Sequence, residues 1–204
     1  MGLIKTLQRK MISFQNLLSK NLELRKKNII ITGANSGIGL ALVKALNINN
    51  NILAFVKKDK SNIINIEGGE IKIINWDFTD IEPNKKNTDT IIEFKPNIII
   101  NSAASFGSEN QKFFDIDIKQ FNSIFNINVF SALSIIQDSL KGKKLEQIIN
   151  ISSEMGSINL NKEGDYYYYR TSKTLLNSIT KNISIDLKKR NISAYCIHPG
   201  NVKT

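Results

Sequence analysis

Six short apolar runs punctuate this chain, at Ile29–Thr32, Ile52–Val56, Ile71–Ile74, Ile98–Ile100, Ile148–Ile151 and Ile192–Ile197. A strand with one face in water alternates apolar and polar side chains. Near-continuous apolar runs of three to six residues read instead as strands buried on both faces, the condition of a parallel sheet. Parallel neighbours need a crossover, and helical patterns stand between most of the runs, at Gly37–Leu46, Thr88–Phe94, about Ile118–Leu140 and about Tyr167–Lys188. Strands alternating with helices predict an α/β chain with a doubly wound, Rossmann-like parallel sheet. The 204 residues suit one domain, placed at 28–204, with residues 1–27 as an extension.

That extension has its own character. Leu3, Leu7, Met11, Phe14, Leu18 and Leu22 recur at three- and four-residue steps, which predicts an amphipathic helix over 3–24. Lys5, Arg9, Lys10, Lys20, Arg25, Lys26 and Lys27 stand there against Glu23 alone, which is +6 of the chain's net charge of +10. Two readings stay open: peripheral attachment to an anionic membrane, or packing on the chain's own domain or a partner. The charge sits in a short leader with one aromatic, so nucleic acid is not an expected partner. No run reaches the length of a membrane span, and no uninterrupted apolar segment marks a secretory signal. The single Cys196 permits no intrachain disulfide and lies in an apolar run, so it reads as a buried structural thiol of a cytoplasmic protein.

The first run leads directly into Thr32-Gly33-Ala34-Asn35-Ser36-Gly37-Ile38-Gly39 and then into a helix. Gly33 suits a tight turn, Gly37 a close backbone approach to a pyrophosphate, and Gly39 close packing of helix on strand. The helix N-terminus directs N–H groups and a positive dipole end at the phosphates. The second run ends at Val56, before Lys57 and Lys58. Cations there suit the 2′-phosphate of NADP, where an acidic residue would suit NAD. NADP(H) is therefore expected over NAD(H), although Asp59 lies close by.

Tyr169 and Lys173 are four residues apart and share a helix face. A free tyrosine has a pKa near ~10, and a neighbouring ammonium favours the phenolate, so the pair is expected to lower the phenol's pKa and let it exchange protons with a substrate oxygen. Ile148–Ile151 ends in Ser152-Ser153, at the strand end where open α/β sheets bind ligands. No metal site is expected.

Together, Asn150-Ile151-Ser152-Ser153-Glu154-Met155-Gly156-Ser157-Ile158 and Tyr166-Tyr167-Tyr168-Tyr169-Arg170-Thr171-Ser172-Lys173 resemble the small C-signal and carbonyl-reductase branch of the short-chain dehydrogenase/reductase family, as does the glycine spacing after Thr32. The resemblance covers residues 28–204. It implies the strand order 3-2-1-4-5-6. It makes Ser153 the catalytic serine and selects Tyr169 from the four tyrosines, with Lys173 as its partner. Trp76-Asp77-Phe78-Thr79-Asp80 resembles the adenine-contacting segment, which assigns Asp77 and Phe78 to the cofactor. Asn101-Ser102-Ala103-Ala104 resembles the family's Asn-Asn-Ala-Gly, which adds Asn101 and Ala103, with departures at Ser102 and Ala104. Asn128 is the implied holder of a proton-relay water, with Ser131 in place of a usual glycine. In the segment His198-Pro199-Gly200-Asn201-Val202-Lys203-Thr204, Pro199, Gly200, Val202 and Thr204 are the implied neighbours of the nicotinamide, and Asn35, Ser36 and Ile38 join the glycines around the phosphates. His198 is assigned to this loop rather than to catalysis. A substrate-covering loop, a helix and a seventh strand follow in the family and are not expected here.

The implied function is NAD(P)(H)-dependent interconversion of a small carbonyl and an alcohol, in a homo-oligomer, with Tyr169 as proton donor or acceptor. The alternative is a dinucleotide-binding or interaction protein with weak or no turnover. A sugar-nucleotide epimerase fits the glycine spacing and the segment after Ser153 less well.

Overall fold

The computed structural model describes residues 26–58, 61–79, 84–200 and 202. The expected leader helix over 3–24, Asp59 and Thr204 lie outside the described residues. Six strands form one parallel sheet: β1 (Asn28–Thr32), β2 (Asn51–Val56), β3 (Ile71–Asn75), β4 (Ile98–Asn101), β5 (Gln147–Ile151) and β6 (Ser193–Ile197). Their order is β3-β2-β1-β4-β5-β6, the expected Rossmann-like arrangement. Register follows the apolar runs, with Ile29 opposite Ile52 and Ile98, Ile99 opposite Ile148, and Ile148 opposite Ala194.

Successive strand residues point to opposite faces, so each isoleucine run feeds two cores. One holds Ile29, Ile31, Ile52, Ala54, Ile98 and Ile100 against Leu42, Val43 and Leu46 of α1 (Gly37–Leu46), with Ile63 of the short α2 (Ser61–Ile64). The other holds Ile30, Leu53, Phe55, Ile99 and Ile148 against Ile91 of α3 (Lys85–Phe94) and Ile135 and Ile136 of α5 (Ser131–Lys141). Each fully buried isoleucine contributes about 1.5–3 kcal/mol relative to exposure, and six central-strand isoleucines, Ile29, Ile30, Ile31, Ile98, Ile99 and Ile100, are at most 1% exposed.

The helix expected over about 118–140 forms as α4 (Ile118–Phe125), a π-helical turn at Asn126–Phe130, and α5. The long helix α6 (Tyr167–Asp186) follows a left-handed Tyr166, φ 54°. Helix α3 starts three residues before its expected place, because Asn84 caps it by accepting a hydrogen bond from the N–H of Asn87. No sequence pattern announced α2, a single turn. Cys196 corrects an expectation. It is exposed, not buried, and its neighbour Tyr195 is 50% exposed. β6 stands at the sheet edge, so its apolar run is covered less completely than those of the central strands. The Cys196 Sγ lies 3.2 Å from the Thr180 Oγ1 of α6. Among the described residues no helix is long and apolar enough to cross a membrane.

Candidate active site

Parallel strands all end on the same side of the sheet, and the singled-out residues cluster at those ends. At the end of β1, Gly33 adopts φ +64°, and a Cβ there would stand 2.9 Å from the Ala103 Cα. Gly37 also has positive φ, 48°. The Thr32 hydroxyl accepts hydrogen bonds from the N–H groups of Ser102 (3.0 Å) and Ala103 (2.9 Å), tying the β1 loop to the β4 loop. Ser36 stands at the N-cap of α1 yet gives the first turn no side-chain hydrogen bond, and no acidic residue occupies that turn. This helix start is thus uncapped by its own side chains and electropositive, a fit for phosphate. Ile38 packs on the core beside it, and the Asn35 carbonyl accepts a hydrogen bond from the Asn62 amide at 3.0 Å.

Lys57 and Lys58 are exposed at the end of β2. Lys57 is not free: its Nζ pairs with the Asp77 carboxylate at 3.3 Å. Burial pushes the Asp77 carboxyl up, but the Thr79 N–H and hydroxyl and the Lys57 ammonium outweigh it, so the group lies below its usual range. The two residues assigned to opposite ends of the adenosine are therefore in contact. Phe78 is only 6% exposed, with its ring against Phe55 and Trp76, which leaves its backbone as the part able to meet a nucleotide. Asn101 donates to Asn150 at 2.8 Å, while its own Oδ1 is buried without a partner. An orphaned acceptor at a strand end is what a sugar hydroxyl can satisfy, and with the two positive-φ glycines it fits this site to a dinucleotide. Gly200 has φ 74°, and Pro199, Gly200 and Val202 are partly buried. His198 is exposed, 3.7 Å from the Glu154 carboxylate.

The reacting groups come from β5 and α6. Ser152 turns away, donating to Asn177 at 2.6 Å. Ser153 is the serine whose hydroxyl stands beside the Tyr169 phenol, and it accepts from the Met155 N–H at 3.2 Å. Lys173 is 2% exposed, donates to the Ile151 carbonyl at 2.8 Å, and lies 5.6 Å from the Tyr169 ring centre. Helical phase separates the other tyrosines: Tyr166 precedes the helix, Tyr167 faces Phe113, and Tyr168 is buried with its phenol oxygen accepting from the Asp117 N–H at 2.6 Å.

The expected lowering of the Tyr169 pKa is not present. Burial pushes the phenol up, and the Ser153 hydrogen bond only partly offsets this. The Lys173 Nζ is committed to a backbone carbonyl, and burial lowers its own pKa from 10.5 to about 8. A buried lysine with a depressed folded pKa is disfavoured while both states stay protonated, below about pH 8. That penalty is relieved as pH rises from about 8 towards the unfolded value, where only the unfolded chain still holds the proton. The stability of the native chain relative to Lys173→Met should therefore rise by up to about 3 kcal/mol from pH 7 to pH 10. Urea titrations at four pH values read this, and a flat difference contradicts it.

Asn128 is 2% exposed within the π-helical turn. Its amide donates to the Ser105 carbonyl (3.0 Å) and the Ser172 hydroxyl (2.9 Å), and its oxygen accepts from the Ser105 N–H (2.7 Å). It joins the loop after β4 to α6 one residue before Lys173. Two residues not anticipated from sequence complete this corner. Phe106 packs on Tyr169 and Tyr166 with ring centres 4.9 and 5.3 Å away. Gln111, 1% exposed, accepts hydrogen bonds from the N–H groups of both Tyr168 and Tyr169.

Residues 27–204 match the profile of the family described as short chain dehydrogenase. C-signal of Myxococcus xanthus is 32% identical over 93 residues, a match spanning 44% of this chain and 56% of that protein. The 7alpha-hydroxysteroid dehydrogenase of Escherichia coli is 28% identical over 200 residues, 91% of this chain and 75% of the other. Among solved structures, carbonyl reductase Sniffer of Drosophila melanogaster superposes with a TM-score of 0.73 at 25% identity, covering 86% of this chain and 81% of its own. A short chain dehydrogenase of Burkholderia cenocepacia in complex with NADP gives 0.76 at 22% identity, covering 89% and 78%.

Proposed function

Since the chain belongs to the short chain dehydrogenase family, we propose that it is an NADPH-preferring oxidoreductase that interconverts a small carbonyl compound and its alcohol. The observation that carries this reading is the trio in which the Ser153 hydroxyl stands beside the half-buried Tyr169 phenol and the buried Lys173 lies against the Tyr169 ring. Gly33, Asn35, Ser36, Gly37, Ile38 and Gly39 would hold the pyrophosphate, Lys57, Lys58, Asp77, Phe78, Asn101 and Ala103 the adenosine side, and Pro199, Gly200, Val202 and Thr204 the nicotinamide side. When bound, the cofactor supplies the hydride.

The chain supplies placement and the proton. Tyr169 donates its phenol proton to the substrate oxygen as the carbonyl carbon is reduced, and a raised pKa keeps that proton available at neutral pH. Ser153 donates a hydrogen bond to the same oxygen and holds it beside the phenol. Lys173 secures the ribose and supports the phenolate that forms. Asn128 fixes the loop after β4 against α6 and keeps Lys173 in register, with the relay water as its second role. The experiment is a reductase assay over a panel of small aldehydes and ketones. Consumption of NADPH with matching alcohol formation supports the reading, and tight NADPH binding without reduction of any panel member favours the binding-only alternative.

Cofactor choice rests on Lys57 and Lys58. A 2′-phosphate would join Lys57 beside Asp77, and Lys58 carries a second exposed charge. NADPH should bind about tenfold more tightly than NADH, since one good charge contact is worth about 1.4 kcal/mol. The double variant Lys57→Ala, Lys58→Ala should lose that difference. Equal affinities in the native chain contradict the assignment.

β1 follows directly after the cationic residues 1–27, and its first residue, Asn28, lies at the end of the sheet remote from the site. There Lys95, Lys143, Lys144, Lys188, Lys189 and Arg190 are also exposed. Peripheral contact with an anionic membrane through this end is the partner we assign to the leader. Sedimentation with phosphatidylserine vesicles should be strong at low salt and fall as screening rises. No binding at low salt leaves packing of the leader as its role. Homo-oligomers are the assembly inferred for the domain, and a monomer mass by light scattering contradicts that.

A further inference from the structure

Helix α6 carries Tyr169 and Lys173, yet nothing at its own start caps it. Its N-cap, Tyr166, sits in the left-handed region at φ 54° and gives no side-chain hydrogen bond, and no acidic residue lies in the first turn. A helix start normally takes its cap from the residue immediately before it. Here the acceptor comes from more than fifty residues upstream. The Gln111 Oε1 accepts from the N–H of Tyr168 at 3.1 Å and of Tyr169 at 3.2 Å. The same amide's nitrogen donates to the carbonyls of Phe106 at 2.8 Å and Ser108 at 2.7 Å. Gln111 is 1% exposed, and all four bonds use one side chain.

These bonds join two parts of the candidate site. One is the backbone of the reactive tyrosine. The other is the loop that presents Phe106, whose ring packs on Tyr169 at 4.9 Å and is 40% exposed. Gly107 allows the loop to fold back this closely: it has φ +89°, and a Cβ there would lie 3.4 Å from the Gln111 Nε2. Tyr169 sits in the first turn of α6, where fraying is greatest. We propose that Gln111 is a positioning residue that holds Tyr169 and the Phe106 wall in one geometry, acting as a cap from outside the helix. The role in turnover rests on the reading of Tyr169 as proton donor.

Three variants and two readouts test it. Gln111→Met keeps bulk and removes all four hydrogen bonds. Gln111→Glu keeps acceptor oxygens for the two N–H groups, with a charge suited to a helix start, and loses the donation to the Phe106 and Ser108 carbonyls. Phe106→Leu alters the wall alone. Amide exchange of Tyr168 and Tyr169 should accelerate at least about tenfold in Gln111→Met and stay near native in Gln111→Glu. In the same proteins kcat should fall about tenfold for Gln111→Met with NADPH affinity unchanged, and Gln111→Glu should recover part of it. Phe106→Leu should raise KM with little change in kcat. Native exchange rates in Gln111→Met overturn the cap. Faster exchange with native kcat overturns the positioning role. If Gln111→Met does not fold, slow exchange with recovered kcat in Gln111→Glu supports the proposal, and fast exchange there overturns it. A native chain that reduces no carbonyl overturns the proton-donor reading instead, while the exchange measurement still decides whether Gln111 holds the Tyr169 backbone.

Discussion

Tyr169→Phe should reduce carbonyl turnover by about a hundredfold to ten-thousandfold while leaving the fold and NADPH affinity near native, since a positioned proton donor contributes about 10²–10⁴ to such a step. The substitution removes one oxygen, and the ring keeps its packing on Phe106 and Lys173. None of the three tyrosines before it can take over. Tyr168 is buried with its hydroxyl on the Asp117 N–H, and Tyr166 and Tyr167 lie against Phe106 and Phe113. Phe at 166 and 167 should cost little in chemistry. Tyr168→Phe is the exception as a control, because the Asp117 N–H loses its 2.6 Å acceptor, and a lost hydrogen bond of this kind costs about 1 kcal/mol of stability. Retained turnover in Tyr169→Phe would remove Tyr169 from the mechanism.

Gly39→Ala should be severely damaging, since the added methyl group meets the phosphate-loop backbone more closely than at any other described glycine. A Cβ at Gly39 would stand 2.1 Å from the Gly33 carbonyl oxygen and 2.6 Å from its carbon. Both neighbours are backbone atoms of the phosphate loop, so no side-chain rotation relieves the clash. Either the loop moves or α1 lifts from β1, at about 3 kcal/mol or more. For a chain of this size that is roughly 6–12 °C in Tm. NADPH binding should weaken at least about a hundredfold, as the atoms displaced are those of the phosphate cradle. Gly164→Ala is the contrast. Gly164 has φ +73° but nothing within 4 Å of the added Cβ, so it carries only conformational strain, about 1 kcal/mol. Thermal melts of the two variants separate steric contact from backbone preference, and equal losses would contradict the packing argument.

The strands were legible because a parallel strand buried on both faces must be apolar almost without interruption. Ile29–Ile31 is an example: it serves two cores at once. The glycine loop was legible because only glycine tolerates both the φ of Gly33 and the contact at Gly39. Tyr169 could be chosen among four tyrosines by resemblance, and helix phase gives a physical reason for the same choice. Other features leave no periodic trace. Gln111 is one polar residue in a loop, and its importance comes from tertiary contacts with α6. The π-helical turn at Asn126–Phe130 depends on how α4 and α5 meet their neighbours. The exposure of Cys196 reflects the place of β6 at the sheet edge, which an apolar run does not reveal. The Tyr169 phenol departs from the sequence expectation for a related reason. Proximity of a lysine in sequence does not say where its ammonium points, and here it points at the Ile151 carbonyl.

The central claim is that this chain reduces a carbonyl group with Tyr169 as proton donor. The most direct test incubates native protein and Tyr169→Phe with NADPH deuterated at the transferable position and an aldehyde that the native chain reduces, and follows the alcohol by mass spectrometry. The native protein should yield an alcohol carrying one deuterium on its carbinol carbon, and Tyr169→Phe almost none. Alcohol without deuterium, or equal labelled product from both proteins, would contradict that claim.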